Sequence, residues 1–185
     1  VAREFITNNQ TLFSIPEYAF DLWVNEQRGN LRYMIFNQVY QNIPVWNGRI
    51  DFRFRSDGSL VLIGHDAYPN LDVNPLPTIY TSQAILFSKQ EVDFNSNLGD
   101  EVVDDPELFI WVETGKKPSY HLAWLVELFV HSTEPDDHVP VHRWKVFVDA
   151  HNGNVLEKFD MVRTATVEGH VTAPIKDEVY GIATA

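Results

Sequence analysis

NQVYQNIPVWNGRIDFRFRSDG, residues 37–58, places a proline and an Asn-Gly pair inside what otherwise reads as β-strand. Proline has no N–H to donate to a sheet, and Asn and Gly tolerate left-handed backbone better than other residues. We therefore expect corners at 42–44 and 46–48 that join a strand over 31–41 to a strand over 50–55. The Asp-Gly pair at the end of the stretch predicts a turn and a return strand over 60–63.

The sequence before this stretch predicts a β-hairpin. Apolar and polar residues alternate over 20–25 and again over 31–36, on either side of a polar, glycine-containing turn at 27–30. Two alternating runs around such a turn are typical of paired antiparallel strands. Ser14-Ile15-Pro16-Glu17 fits a capping box with proline in the first turn, which predicts one short helical turn ahead of the hairpin.

The middle of the chain is predicted to contain an irregular segment, a helix and an acidic loop. Residues 66–80 contain three prolines and little periodicity, which predicts an irregular crossing segment. A helix is then expected from Thr81 or Ser82 to about Glu91, with Ala84, Ile85 and Phe87 toward the core. Residues 93–106 carry five acidic side chains and are expected to form an acidic loop.

The last third returns to strand patterns. Apolar residues alternate in 122–130 and in 144–148, a short apolar run covers 108–113, and Asn152-Gly153 is a strong hairpin signal before 155–159. We expect one antiparallel sheet from these strands, with Trp111, Trp124 and Trp144 in its core. The tail over 163–185 also alternates around Gly169. It is expected either to start a following β domain or to lie extended in the cleft of a partner protein.

Together these patterns predict an α+β fold of two small lobes, with antiparallel sheets and a single clear packed helix. The first lobe is expected over residues 1–75 and the second over 76–162. Residues 163–185 would be a tail or the beginning of a following domain.

Composition excludes several classes of function. The net charge is −12, and the 14 Lys and Arg residues are scattered, so nucleic acid is not an expected partner. No stretch approaches the length of a membrane span. The chain has no cysteine, which excludes disulfides, thiol catalysis and cysteine-ligated zinc.

The best metal candidate is the stretch HSTEPDDHVPVHRW, residues 131–144, with His138, His142 and Asp136 as its most plausible ligands. His138 and His142 are four residues apart, a ligand spacing that requires a helix, and the prolines at 135 and 140 disfavour one. We therefore expect a solvated hairpin tip, with no metal and no cofactor. The acidic stretch 100–107 lacks the spacing of a calcium loop, and no Gly-x-Ser-x-Gly motif is present, so no catalytic residues are expected.

Residues 31–64 resemble the fungalysin/thermolysin propeptide (FTP) motif. Matching positions are Gln38, Tyr40, Ile43-Pro44-Val45, Trp46, Gly48 and Asp57-Gly58. Asn42 and Asn47 stand where that family usually has glycine. Residues 78–160 are similar to the PepSY domain that follows in such propeptides, and this resemblance implies that the second lobe is cystatin-like.

The resemblance also implies a function. Such regions precede secreted zinc metallopeptidases, assist the folding of the catalytic domain and keep it inactive until cleavage. This chain has no His-Glu-x-x-His zinc motif, so it is expected to be non-catalytic, secreted or in the cell envelope, with a peptidase domain as its partner in cis or in trans. The alternative is a stand-alone extracellular binding or inhibitory module with no peptidase attached.

Overall fold

The computed structural model describes residues 2–16, 19–133, 140–162, 175–177 and 182–184. Two short helices open the chain and one longer helix lies in its middle; the remaining elements are strands. The helices are α1 (Ala2–Asn8), α2 (Gln10–Phe13) and α3 (Thr81–Gln90), and a 3-10 turn covers Ser96–Leu98. The strands are β1 (Phe20–Arg28), β2 (Leu31–Tyr40), β3 (Ile43–Arg55), β4 (Leu60–His65), β5 (Glu101–Val102), β6 (Glu107–Glu113), β7 (Ser119–His131), β8 (Val141–Asp149), β9 (Val155–Asp160), β10 (Ile175–Asp177) and β11 (Ile182–Thr184).

Nine of the strands form one sheet in the order β1-β2-β3-β6-β7-β8-β9, with β4 paired to β3 and β5 paired to β7. β3 joins the two groups of strands. Its C-terminal part pairs antiparallel with β2 and β4, whereas Val45 near its N-terminus pairs in parallel with Ile110 of β6. The other pairings in this sheet are antiparallel, and β10 and β11 pair with each other.

The turn expected at 42–44 begins one residue earlier, and the corner expected at 46–48 does not end the strand. The turn is at Gln41 and Asn42, with φ of 50° and 67°, and β3 then runs without a break through Pro44. Asn47 has a φ of 60°, but the strand continues beyond it. Where β2 and β3 lie side by side, their register shifts between Asn37 and Val39. A bulge of this kind absorbs extra residues and bends a strand without ending it.

The N-terminal strands are covered by α1 and α2. Ile6 and Phe13 of these helices are buried against the alternating apolar residues of β2 and β3, Phe36, Ile50 and Phe52 among them. The short helical turn expected at 14–17 extends to Glu17, which lies outside the described residues. Beside it, Ser14 takes a left-handed φ of 55° after the end of α2, and the Ala19 N–H donates to Pro16 O at 3.1 Å.

Helix α3 covers one face of the C-terminal strands, as the sequence predicts. Ala84 is fully buried against Val126, Val146 and their neighbours on β7 and β8, and Ile85 and Phe87 pack beside it. The first backbone N–H of the helix region, that of Tyr80, donates to Gln83 Oε1 at 3.0 Å. Trp124 and Trp144 lie on the neighbouring strands β7 and β8. The predicted antiparallel sheet is thus confirmed.

The predicted fold class of two α+β lobes with a single packed helix and a cystatin-like second lobe is wrong. About half of the described residues are in strands, one sheet runs through both halves, and α1 and α2 are additional helices. The physical reason is the pairing of Val45 with Ile110, which merges the two groups of strands. The division of the chain near residue 75 stays a prediction.

Candidate functional site

Of the three candidate metal ligands, His142 lies in the described part of the chain. Asp136 and His138 lie outside the described residues. His142 lies on β8, where its Nδ1 is 2.6 Å from Asp160 Oδ2 on β9. Burial raises the pKa of Asp160, but hydrogen bonds from His142 and from the N–H groups of Val162 and Arg143 outweigh it and lower the pKa below its usual value. His142 therefore has a carboxylate partner on the neighbouring strand.

A second His–Asp pair ties the acidic loop to the sheet. Asp100 has no exposed side-chain surface, and His131 Nδ1 lies 2.9 Å from its Oδ1. Backbone N–H groups of Asn95 and His131 also donate to this carboxylate, at 2.7 and 2.8 Å. Burial raises the pKa of Asp100, and these hydrogen bonds lower it further than burial raises it. The carboxylate thus organises the 95–100 loop.

A third pair lies on the opposite side of the sheet from α3. His121 Nδ1 is 3.3 Å from the Oδ2 of buried Asp149, whose Oδ1 accepts the N–H groups of His151 and Asn152. Within the described ranges, no group of three or more His, Asp or Glu side chains is placed to hold a metal ion. These three pairs connect neighbouring elements, and none of them forms a site with the geometry of a hydrolase.

Gln38 is the buried polar residue of the N-terminal strands. Its side chain is 1% exposed, its Nε2 donates to Tyr68 O at 2.7 Å, and its Oε1 accepts the Tyr68 N–H at 2.8 Å. Both backbone groups of Tyr68 are thereby bonded, as they would be by a neighbouring strand. This contact fixes the crossing segment 66–80 on the sheet, so Gln38 has a structural role.

The crossing segment is irregular, as predicted, but it is bound along its length. Val73 packs with Val45, Ile110 and Leu122 in a cluster that bridges the two halves of the sheet. Further on, the Trp124 indole N–H donates to Ile79 O at 2.7 Å. Trp124 is therefore a core residue, as the sequence predicts.

The face of β6–β9 that lies opposite α3 is made of aromatic rings. Phe147 at its centre has no exposed surface. Its ring is surrounded by those of Trp46, Phe109, Trp111 and Phe159, with centroids 4.8, 6.4, 4.5 and 5.8 Å away. We call these five residues the aromatic face. The cluster is completed by Ala123, Leu125 and Leu156, so all its members come from strands β3 and β6–β9.

Sequence reasoning missed the aromatic face and assigned Trp111 to the core. The signal was present, because Phe109 and Trp111 alternate with Leu108, Ile110 and Val112. A strand that is apolar at both parities has apolar side chains on both of its faces. The four outer rings are partly exposed and pack on the buried Phe147.

Charged side chains border the aromatic face. Glu107 lies two residues before Phe109 on β6 and Glu113 two residues after Trp111, so both project to the same side as these rings, and Glu157 of β9 is in register with Phe147. All three carboxylates are exposed. Within the part of the chain that the structure describes, neither Glu107 nor Glu157 forms an ion pair with a cationic side chain.

The cations near the aromatic face are bound to one carboxylate. Glu127 accepts from Arg143 at 2.8 Å and from Lys145 at 2.9 Å. Burial raises the pKa of Glu127, but the hydrogen bonds from Lys145 and Arg143 prevail and lower it. The Lys145 ammonium also lies 5.4 Å from the centre of the Trp46 ring. The face therefore already holds one cation between an indole and a carboxylate.

Comparison with known proteins gives distant relatives that are proteases. No protein-family model matches the chain. It is 27% identical over 153 residues to bacillolysin from Brevibacillus brevis, a match that covers 79% of this chain and 28% of that protein. It is 22% identical over 173 residues to neutral protease B from Bacillus subtilis strain 168, covering 89% of this chain and 30% of that protein. It is 26% identical over 145 residues to bacillolysin from Bacillus cereus, a match that covers 76% of this chain and 23% of that protein.

The chain spans less than a third of the length of these curated relatives. Among solved structures, it is similar to the Bacillus megaterium YpeB C-terminal domain, with 15% identity and a TM-score of 0.42 over 88% of this chain and 66% of that one. None of the helices in the described ranges is both long and apolar enough to cross a membrane.

Proposed function

We propose that this chain is the propeptide region of a secreted zinc metallopeptidase, where it acts as intramolecular chaperone and inhibitor of the catalytic domain. One observation carries the proposal: the chain matches proteases over most of its own length but only 28% of the length of the first of them, and it contains no His-Glu-x-x-His motif. The shared region is then a part of the precursor other than the zinc-binding part.

The fold supports this role by providing a preformed surface. A folding template must be ordered before the chain that it templates, and a sheet with several buried clusters meets that requirement. The residues that resemble the FTP motif contribute to this order, because Gln38 binds Tyr68 and Val45 joins the two halves of the sheet. The surface of the proposed inhibitor is thus held in place by buried contacts.

The first test is a refolding experiment. The catalytic domain encoded in the same reading frame, or bacillolysin from Brevibacillus brevis for action in trans, is denatured and diluted with and without the 185-residue chain. We expect the chain to raise the yield of folded peptidase and to suppress its activity until the chain is digested. Serum albumin at the same mass concentration controls for non-specific protection.

The same experiment separates the proposal from its alternative. A folded chain that neither raises the yield of bacillolysin nor inhibits it, from a reading frame without His-Glu-x-x-His, would favour a stand-alone extracellular binding module. The chain would then have to be assigned a partner of another class.

A further inference from the structure

We propose that the aromatic face is the surface that binds the peptidase, and that the bound surface of the peptidase carries lysine or arginine side chains. This inference rests on the proposed function and adds to it the place of contact and the chemistry of the partner. It follows from the packing of the rings, from the charges around them and from the coverage of the other faces.

The packing of the rings is that of an interface centre. Buried aromatic side chains surrounded by a polar rim supply most of the binding energy in protein complexes. Here the rings of Trp46, Phe109, Trp111 and Phe159 shield Phe147 completely, yet remain partly exposed themselves. Their burial by a partner would remove further apolar surface from water without rearrangement of the strands.

The charges select a cationic partner. Glu107 and Glu157 border the rings with no cationic partner in the described ranges, and the chain as a whole has a net charge of −12. An aromatic ring binds ammonium and guanidinium groups over its face, and a nearby carboxylate strengthens that preference. Lys145 shows the same combination within the molecule, since its ammonium contacts both Trp46 and Glu127.

Part of the sheet is covered by the protein's own helices. Helices α1 and α2 cover one face of the N-terminal strands, and α3 covers the face of β7 and β8 that lies opposite the aromatic face. The aromatic face is built from strands alone. It therefore combines an apolar centre with an acidic border, which are the two properties that a basic protein surface complements.

The test is a charge reversal on the border of the aromatic face. Glu107→Lys/Glu157→Lys changes two exposed side chains and leaves the rings intact. The matched control is Asp21→Lys/Asp72→Lys, which changes the net charge equally at two exposed positions on β1 and in the crossing segment. Inhibition of the peptidase used in the refolding experiment is titrated at low salt and again at about 0.5 M salt.

We expect the Glu107/Glu157 variant to weaken inhibition about tenfold or more at low salt, and the control to change it less than about twofold. High salt should weaken inhibition by the wild-type chain and so narrow the difference in inhibition between the wild-type chain and the Glu107/Glu157 variant. An equal effect of the two variants, with the wild-type chain inhibiting, would overturn the aromatic face as the binding surface and leave the proposed function intact. A wild-type chain that does not inhibit would overturn the proposed function itself.

Sedimentation of the chain alone tests whether a second copy of the chain, instead of the peptidase, covers the aromatic face. A dimer that the Glu107/Glu157 variant abolishes and the control retains would show that a second copy covers the face, and would overturn the inference. A monomer at the concentrations of the inhibition assay supports it. Unfolding curves of both variants should match that of the wild-type chain, because the substituted side chains are exposed.

Discussion

Gln38 uses its side-chain amide in place of a neighbouring strand. The amide makes two hydrogen bonds to the backbone of Tyr68, and this pairing reaches across 30 residues of sequence. An unpaired polar group in a buried position costs more than the hydrogen bond itself contributes, because it has also lost its water. The contact is therefore expected to matter for the whole crossing segment.

Replacement of Gln38 by Leu should lower the free energy of unfolding by about 2 kcal/mol, because both backbone groups of Tyr68 lose their partner. Urea unfolding followed by tryptophan fluorescence measures this loss. The control is Gln90→Leu at the exposed end of α3, for which we expect less than about 0.5 kcal/mol. Equal stability of both variants would show that water replaces the amide.

Gly153 combines a left-handed conformation with close packing. Its φ is +81°, and a Cβ at this position would lie 2.6 Å from Cε2 of Phe87 on α3. Gly58 has a similar φ of +84° with nothing within 4 Å of a Cβ. Gly48, by contrast, lies outside the left-handed region, and its Cβ would meet Gln38 Oε1 at 2.9 Å.

Gly58→Ala should therefore cost about 1 kcal/mol, from backbone strain alone. Gly153→Ala should cost at least 1 kcal/mol more, because the helix side chain must move as well. Thermal unfolding of the two variants separates these contributions. Identical losses would show that Phe87 shifts aside freely.

Asp100 makes stability depend on pH in a defined direction. Because its pKa is lower in the folded state, its contribution is present above about pH 4, the usual value for aspartate, and is lost as pH falls through the lower folded value. Asp100→Asn should therefore be least stable relative to the wild-type chain at neutral pH, and the difference should shrink below about pH 4. Asp72→Asn, in an exposed position, is the control. A difference that is constant from pH 7 to pH 2 would contradict the assignment.

At the scale of elements, helix α3 contains a buried hydroxyl group that lacks a hydrogen-bond partner in the described residues. Ser88 is fully buried, and within the described residues its Oγ has no hydrogen-bond partner. A buried hydroxyl without a partner destabilises the folded state, and alanine is the better helix former. The residue therefore offers a simple test of the packing of α3 on β7 and β8.

Ser88→Ala should raise the free energy of unfolding by about 0.5–1 kcal/mol. Ser82→Ala, exposed in the first turn of the same helix, isolates the part that comes from helix propensity alone. Chemical denaturation of both variants gives the comparison. A loss of stability in Ser88→Ala would show that the hydroxyl is satisfied by water.

Elements with local signals were predictable, and elements made by distant contacts were not. The alternation of β7 and β8, the Asn152-Gly153 turn and helix α3 each depend on neighbouring residues, and all three are confirmed. Helix α1 has only 7 residues, and its burial on Phe36 and Phe52 decides its formation. No local sequence pattern predicts that contact.

No local sequence signal predicted that β3 continues through Pro44. The strand depends on its pairing with β2 and on the meeting of Val45 with Ile110, which are 65 positions apart in the chain. The candidate site shows the same limit. Its His–Asp pairs join residues 18, 28 and 31 positions apart, because the register of neighbouring strands and the path of a loop bring them together.

At the scale of the whole molecule, the C-terminal strands have one face under a helix and one face without one. Helix α3 covers the first, and the aromatic face, built from strands, forms the second. Its aromatic centre and its acidic border connect the fold to the proposed role, since an ordered strand surface is well suited to hold a partner in one orientation.

The crossing segment 66–80 is the covalent link between the two halves of the sheet, and Leu76 within it is 71% exposed. The contacts that hold the halves together do not require an unbroken chain at Leu76: β3 pairs with β6, and Val73, on the N-terminal side of Leu76, packs with Ile110 and Leu122. Covalent continuity at this point is then dispensable for assembly. Residues 1–75 and 76–185, co-expressed as separate polypeptides with an affinity tag on one, should reassemble by fragment complementation and co-elute as one particle. Independent elution of the fragments would show that the covalent link itself maintains the joined sheet. Co-elution would make the chain a split protein. Two other molecules could then be fused to its two fragments, and reassembly would report that those molecules had met.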